Sequence, residues 1–452
     1  MTFPRELDPL IAAVLRAHRD WESQWPEVSA DASMRADRST LQAPLEELAR
    51  RLRENYPHFH PLYAGQMLKP PHPAAVLGYL SAMLVNPNNH ALDGGRATAA
   101  MEAEVVAELA TMVGFDSDRT LGHLTASGTI ANLEALWVAR ELAPDLPIAI
   151  GANAHYTHKR ACALLRADCV ELPATPEGCL DLGALDALLA RRRIGTVVVT
   201  LGTTALGALD PLEAVLERGA RHGFRVHVDT AYGGYYRLLA GRDPALASFL
   251  PTGAADSLVV DPHKHGLQPY GCGCVLFADG QVAAKYAHAS PYTYFSSREH
   301  HPGETTLECS RAGAAAAALW LTMKCLPLQA DAMGAVLARC LEGARALADA
   351  LRRSRRYALY LEPALDIVTY FPRAPSASKI SAATEAIFER AERAEEPLYL
   401  AKLSVEGDSF ARLQPGVEMD APNVTILRSC IMRPEQADWV ATIVGRLEGF
   451  AQ

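Results

Sequence analysis

The stretch Ser257-Leu258-Val259-Val260-Asp261-Pro262-His263-Lys264 places a lysine shortly after a short apolar run. A second apolar run, at 224–228, is followed directly by Asp229. Such runs are typical of strands buried in a parallel sheet, where functional side chains gather at the carboxyl ends of the strands. We therefore expect the Lys264 amine and the Asp229 carboxylate to lie at one edge of a sheet.

The same pattern continues on both sides of this stretch. Helix-compatible segments alternate with apolar runs at 147–150, 196–201, 224–228, 257–260 and 274–277. This alternation predicts an α/β fold with a large, mostly parallel sheet covered by helices on both faces.

The two ends of the chain have a different character. Residues 1–60 are polar and helix-prone, and they predict a helical arm that could wrap around a partner subunit. After a long helix-favouring stretch at 311–351, strand-like segments at 365–371, 398–405 and 423–429 predict a small α+β domain. The predicted division is an arm at 1–60, a large domain at 61–325 and a small domain at 326–452.

Composition narrows the class of protein. The 452 residues are 49% hydrophobic and 21% charged, with a net charge of −9, which is ordinary for a soluble globular protein. There is no basic stripe for nucleic acid, no run near the ~20 apolar residues of a membrane span and no signal-peptide core. We expect a cytosolic protein that binds neither nucleic acid nor membrane.

The cysteine pattern points away from metal and redox chemistry. Cys272 and Cys274 are separated by one glycine, which is neither a zinc-binding spacing nor a redox pair. We expect reduced thiols and no metal site.

Lys264 and Asp229 together fit one cofactor. Pyridoxal 5'-phosphate (PLP) needs an amine that forms a Schiff base with its aldehyde and a carboxylate that keeps its pyridine nitrogen protonated. The small Ala231, two residues after Asp229, leaves room beneath a flat ring.

Other segments supply the remaining contacts of such a cofactor. Ser127, Gly128 and Thr129 precede an amphipathic helix, whose first amides would bind a phosphate. His155 follows an apolar run and can stack on an aromatic ring. Thr203 and Thr204 follow another run and could hydrogen-bond the ring hydroxyl or a substrate carboxylate.

Taken together, these residues resemble the group II PLP-dependent amino-acid decarboxylases. That family has the fold-type I, aspartate aminotransferase-like architecture, which implies a seven-stranded sheet. The resemblance implies that Ser127, Gly128 and Thr129 lie at the phosphate. It further implies that Asp261, His263 and Lys264 form the Schiff-base signature.

The remaining roles are also carried over by resemblance. His155 would stack on the ring, Thr204 would lie near the ring oxygen, and Asp229 and Ala231 would contact the pyridine. A tyrosine on the segment 286–301, which lies between Lys264 and Arg311, would protonate the substrate Cα. The tyrosines of this segment are Tyr286, Tyr292 and Tyr294, of which Tyr292 and Tyr294 are the preferred candidates.

The resemblance implies an amino-acid substrate and a homodimer with the active site at the subunit interface. Three alternatives stay open: a carbon–carbon lyase of the aldolase type, an aldehyde synthase that couples decarboxylation to oxidation, and a non-catalytic protein with this fold. Intact Lys264 and Asp229 argue against the third, because the loss of either would be the simplest sign of a dead site.

Overall fold

A seven-stranded sheet forms the centre of the large domain. The computed structural model describes residues 7–286 and 302–451. The seven strands are β1 Leu121–Thr125, β2 Ile148–Gly151, β3 Cys169–Leu172, β4 Thr196–Thr200, β5 Arg225–Asp229, β6 Ser257–Val260 and β7 Gly273–Phe277. Their order is β1-β7-β6-β5-β4-β2-β3, and only β7 runs antiparallel to its neighbours. The predicted α/β class with a mostly parallel sheet is confirmed.

Helices cover this sheet and connect its strands. They are α3 Pro73–Met83, α4 Leu92–Val113, α5 Gly128–Leu142, α6 Thr157–Leu165, α7 Leu182–Leu189, α8 Leu212–His222, α9 Ala283–Tyr286 and α10 Gly313–Cys325. All residues of β2, β4, β6 and β7 are buried, because both faces of the sheet are covered.

The small domain is built on an antiparallel sheet with the order β10-β11-β9-β8. Its strands are β8 Tyr357–Leu361, β9 Ile367–Pro372, β10 Ala401–Glu406 and β11 Asn423–Cys430, and its helices are α11 Met333–Arg353, α12 Ala377–Arg393, α13 Gly407–Leu413 and α14 Gln436–Phe450. Leu62 and Ala64 pack in the apolar cluster of this domain, while the His72 N–H donates to the Leu267 carbonyl of the large domain at 2.8 Å. The segment after residue 60 therefore contacts both domains.

One predicted helical stretch divides in two. The segment 311–351 contains α10 and all but the last two residues of α11, and a turn around Pro327 separates the two helices. The division has a direct cause, since a proline within a helix removes one backbone hydrogen bond and clashes with the preceding turn.

The N-terminal helices lie largely exposed. They are α1 Leu7–Glu22 and α2 Arg38–Leu52, and no residue of α2 is buried. Within the described residues, no helix is both long enough and apolar enough to cross a bilayer.

Candidate active site

Lys264 lies on a tight turn just beyond the carboxyl end of β6. Its backbone N–H donates to the Asp261 carbonyl at 2.9 Å, which closes the turn. The Lys264 Nζ lies 3.0 Å from Asp261 Oδ2, while His263 Nε2 lies 3.4 Å from the same oxygen. The Asp261 side chain is buried, so this turn holds an amine beside a fixed carboxylate.

Asp229 is the last residue of β5, the strand beside β6. Its Oδ1 accepts the Ala231 N–H at 3.0 Å, and its Oδ2 lies 2.8 Å from Nε2 of His158. Burial alone would raise the pKa of Asp229, but the His158 hydrogen bond, the Ala231 amide and the nearby Lys264 outweigh it and hold the pKa below its usual range. Asp229 therefore stays an anion, which is the form that pairs with a protonated pyridine.

The turn between β1 and α5 forms an anion cradle. Ser127 caps α5 and accepts a hydrogen bond from the Ile130 N–H at 3.4 Å. The first amides of α5, at Gly128 and Thr129, have no acceptor within the helix, and the helix dipole favours a negative group there. A Cβ on Gly128 would meet Asp261 Oδ2 at 2.5 Å, so the cradle lies directly against the Lys264 turn.

His155 lies in the loop that leads from β2 into α6. Its Nδ1 lies 2.8 Å from the Thr157 hydroxyl, and its ring centroid lies 4.1 Å from that of Tyr156. Burial lowers the pKa of His155, and the nearby Lys264 adds to this effect, although Asp229 and Asp261 oppose it. At neutral pH the His155 ring is thus uncharged, and its hydrogen bond to Thr157 holds it in place.

These groups surround one cavity of about 250 Å³. The predicted residues that line it are Ser127, Gly128, Thr129, His155, Thr204, Asp229, Ala231, Asp261, His263 and Lys264. Thr203 does not line it. That side chain is buried, and its hydroxyl accepts the Ala208 N–H at 3.0 Å, so it holds the shape of the loop. Tyr286 does not line the cavity either, and its hydroxyl donates to Glu134 Oε2 at 3.2 Å. Tyr292 and Tyr294 lie outside the described residues.

The cavity is also lined by Asn132 and Gly202, which belong to the segments predicted to bind the phosphate and the ring hydroxyl. Four further lining residues were not predicted from the sequence, namely Tyr156, Thr157, Thr200 and Tyr232. His158, the second residue of α6, contacts Asp229 but does not line the cavity. The only signal for it in the sequence is its position three residues after His155.

Arg428 reaches the site from the small domain. It lies on β11, is buried, and donates to the Thr204 carbonyl at 2.6 Å and the Ala205 carbonyl at 2.9 Å. The small domain therefore fixes the loop that carries Thr204.

The chemistry of this cavity matches PLP. It combines a primary amine, a buried carboxylate held as an anion, a neutral histidine ring and the N-terminus of a helix. In this cofactor those partners fit the aldehyde, the pyridine nitrogen, the ring face and the phosphate. The fold and the site together define a fold-type I PLP-dependent enzyme.

The comparison with protein families identifies the class more closely. The family model described as "Pyridoxal-dependent decarboxylase conserved domain" matches residues 27–371. The chain belongs to this family, so it is a PLP-dependent carboxy-lyase.

Curated relatives agree with this assignment. The L-tyrosine decarboxylase of Enterococcus faecium is 28% identical, over 74% of this chain and 73% of that protein. The L-aspartate decarboxylase of Thermococcus kodakarensis is also 28% identical, over 72% of this chain and 83% of that protein.

Solved structures show the same fold at lower identity. Mouse CSAD aligns with a TM-score of 0.78 and 20% identity over 100% of this chain and 93% of that one. The Oryza sativa TDC structure with PLP and tryptamine aligns with a TM-score of 0.77 and 18% identity over 99% of both chains.

Proposed function

We propose that this protein is an L-amino-acid α-decarboxylase that releases carbon dioxide and forms the corresponding amine. The observation that carries the proposal is the convergence of Lys264, Asp229 and His155 on one cavity beside the cradle of α5. The family membership supports the reaction type.

In this proposal each end of the cofactor has its own protein partner. Lys264 supplies the amine that attaches the aldehyde, and Asp229 contacts the pyridine nitrogen. The amides of Gly128 and Thr129, with the Ser127 hydroxyl, bind the phosphate. His155 and Ala231 would hold the two faces of the ring, and Thr204 would hydrogen-bond the ring oxygen. Asp261 and His263 hold the turn that carries Lys264.

The bound cofactor supplies an electron sink for the bond between Cα and the leaving carboxylate. The anionic Asp229 maintains that sink, because it favours a proton on the pyridine nitrogen. The neutral His155 ring fits against the aromatic face without adding charge. Protonation of Cα then needs an acid, for which Tyr292 and Tyr294 remain the proposed donors, with His155 next.

The names of the relatives suggest the first substrates to test. L-Tyrosine and L-aspartate are acted on by the two curated relatives. An aromatic or an acidic side chain is therefore the proposed starting point.

The experiment is a panel of L-amino acids with simultaneous detection of carbon dioxide and amine. One substrate that yields the two products in equal amounts supports the proposal. Carbon dioxide with aldehyde and ammonia would identify an aldehyde synthase. Carbon–carbon cleavage without carbon dioxide would identify an aldolase-type lyase. No turnover of any substrate by PLP-loaded protein would favour the non-catalytic alternative.

We also propose that the protein is a homodimer, with the site completed at the subunit interface. An apolar stripe on α2 supports this, since Leu41, Leu45, Leu48 and Leu52 are each between 43% and 59% exposed. Their spacing places them on one face of the helix. Exposed apolar stripes of this kind mark association surfaces. A cytosolic location stays a prediction.

A further inference from the structure

His158 on α6 is a fully buried residue that touches the site from behind. Its side chain is 0% exposed, and its Nε2 lies 2.8 Å from Asp229 Oδ2. It is not among the residues that line the cavity, so it would reach the cofactor only through Asp229.

The hydrogen bonds around His158 determine which of its ring nitrogens carries the proton. An ionised carboxylate only accepts hydrogen bonds, so the imidazole nitrogen facing it must be the donor. Nε2 therefore carries the proton. Among the described residues, His158 Nδ1 has no hydrogen-bond partner, which fits a neutral ring whose second nitrogen is bare. A proton on Nδ1 would be a buried donor without an acceptor, which is costly.

The surroundings of His158 keep its ring in place. The ring of His227 lies edge-on to it, with centroids 6.3 Å apart. Burial lowers the pKa of His227 to about 3, and its two ring nitrogens lie 2.9 Å from the Asn132 Oδ1 and from the Ser257 hydroxyl. His158 is thus held between a neutral, fully bonded ring and the Asp229 carboxylate.

We propose that His158 is a positioning residue that fixes the orientation and the ionised state of Asp229 toward the pyridine nitrogen. This inference rests on the proposed use of Asp229 by PLP. With His158 on Oδ2 and the Ala231 amide on Oδ1, both oxygens are held and the carboxylate plane cannot rotate. Without His158, one buried oxygen loses its donor, so the proton shared with the pyridine shifts toward Asp229 and the electron sink weakens.

The test uses two substitutions and a spectroscopic readout. The protein is loaded with PLP that carries 15N in the pyridine ring, and the nitrogen chemical shift reports whether that nitrogen is protonated. His158→Gln retains an N–H that can reach Oδ2, whereas His158→Leu retains none. The exposed His222, on α8, gives a matched control as His222→Leu.

We expect wild-type protein, His158→Gln and His222→Leu to show a protonated pyridine nitrogen. His158→Leu should show a shift toward the neutral form while still holding PLP on Lys264. With any substrate that turns over, kcat of His158→Leu should fall about tenfold or more, which corresponds to 1.4 kcal/mol or more, with KM little changed. A folded, loaded His158→Leu protein with the wild-type nitrogen shift would overturn the proposal.

A second measurement covers the case in which His158→Leu does not fold. The 15N spectrum of histidine-labelled wild-type protein, with His158 assigned by its loss in His158→Gln, reports the tautomer directly. A proton on Nε2 supports the proposal and a neutral ring protonated on Nδ1 overturns it. The nitrogen readouts need PLP but no particular reaction, so failure of the proposed decarboxylation would leave this test intact.

Discussion

The Lys264 ammonium and the Asp261 carboxylate lie 3.0 Å apart on the turn after β6. The Asp261 side chain is 2% exposed, whereas that of Lys264 is 23% exposed, so the acid is the fixed member of the pair. Because Asp261 also lies against Gly128, the amine and the phosphate cradle share one buried anchor. Small changes at Gly128 should therefore alter the binding of the whole cofactor.

Gly128→Ala tests this shared anchor. The new Cβ would meet both Asp261 oxygens, at 2.5 and 2.7 Å, so the cradle or the Lys264 turn must move. Overpacking of this kind costs about 1–3 kcal/mol. We expect a matching loss of PLP affinity, measured by titration of the apoprotein with PLP. Gly416→Ala, where a Cβ meets nothing within 4 Å, is the control and should bind PLP normally.

Asp229→Asn should keep PLP bound but lose most turnover. A neutral amide cannot favour a proton on the pyridine nitrogen, and loss of one such electrostatic contact costs a factor of about 10²–10³ in kcat. The exposed Asp145, changed to Asn, is the control. Steady-state kinetics with PLP content measured in parallel give the answer. Near wild-type kcat in a fully loaded Asp229→Asn protein would remove Asp229 from this role.

His227 should make folding stability depend on pH. Burial lowers its pKa to about 3 in the folded protein, whereas an unfolded histidine titrates near 6.5. The unfolded state thus gains a proton first as pH falls. The contribution of His227 to the free energy of unfolding is fully present above pH 6.5. It decreases by about 1.4 kcal/mol per pH unit as the pH falls toward 3.

His227→Gln removes this titration, so its unfolding free energy should fall less steeply than that of wild type between pH 6.5 and pH 4.5. Chemical denaturation at several pH values measures the difference. The exposed His222→Gln should follow the wild-type slope. Parallel slopes for His227→Gln and wild type would mean that His227 is protonated in the folded protein.

The apolar stripe of α2 should hold two subunits together. Leu45→Glu with Leu48→Glu places charges in the stripe, and we expect the dimer to dissociate and activity to fall. Ala43→Glu, on the opposite face of the same helix, should leave both unchanged. Light scattering after size exclusion measures the mass. Wild-type protein at the mass of one chain, across micromolar concentrations, would contradict the homodimer.

The sequence predicted the two strands that position Asp229 and Lys264. The run at 257–260 is β6, and the run at 224–228 overlaps β5, because continuous apolar residues are a strong signal of a strand buried on both faces. Strands β1 and β3 were not predicted. His123 interrupts β1, although it is buried and its Nε2 lies 2.9 Å from Glu134 Oε2. Edge strand β3 is only partly buried and lacks a continuous apolar run.

The contacts that hold the site in place could not be predicted in the same way. Arg428 meets Thr204 across more than two hundred residues, and only the packing of the small domain brings them together. The bond between His158 and Asp229 likewise joins a helix and a strand that are distant in sequence. For Thr203 the sequence suggested a contact that the fold does not make. Its position after a strand suggested cofactor binding, but its hydroxyl accepts the Ala208 N–H within its own loop.

Reduction of the loaded protein with borohydride shows which amine holds PLP, because it fixes PLP permanently to that amine. We expect a yellow protein whose absorption band is bleached and whose tryptic map carries a single pyridoxyl label on Lys264. A label on another lysine, such as the partly buried Lys69, or no label on a protein incubated with PLP, would contradict it.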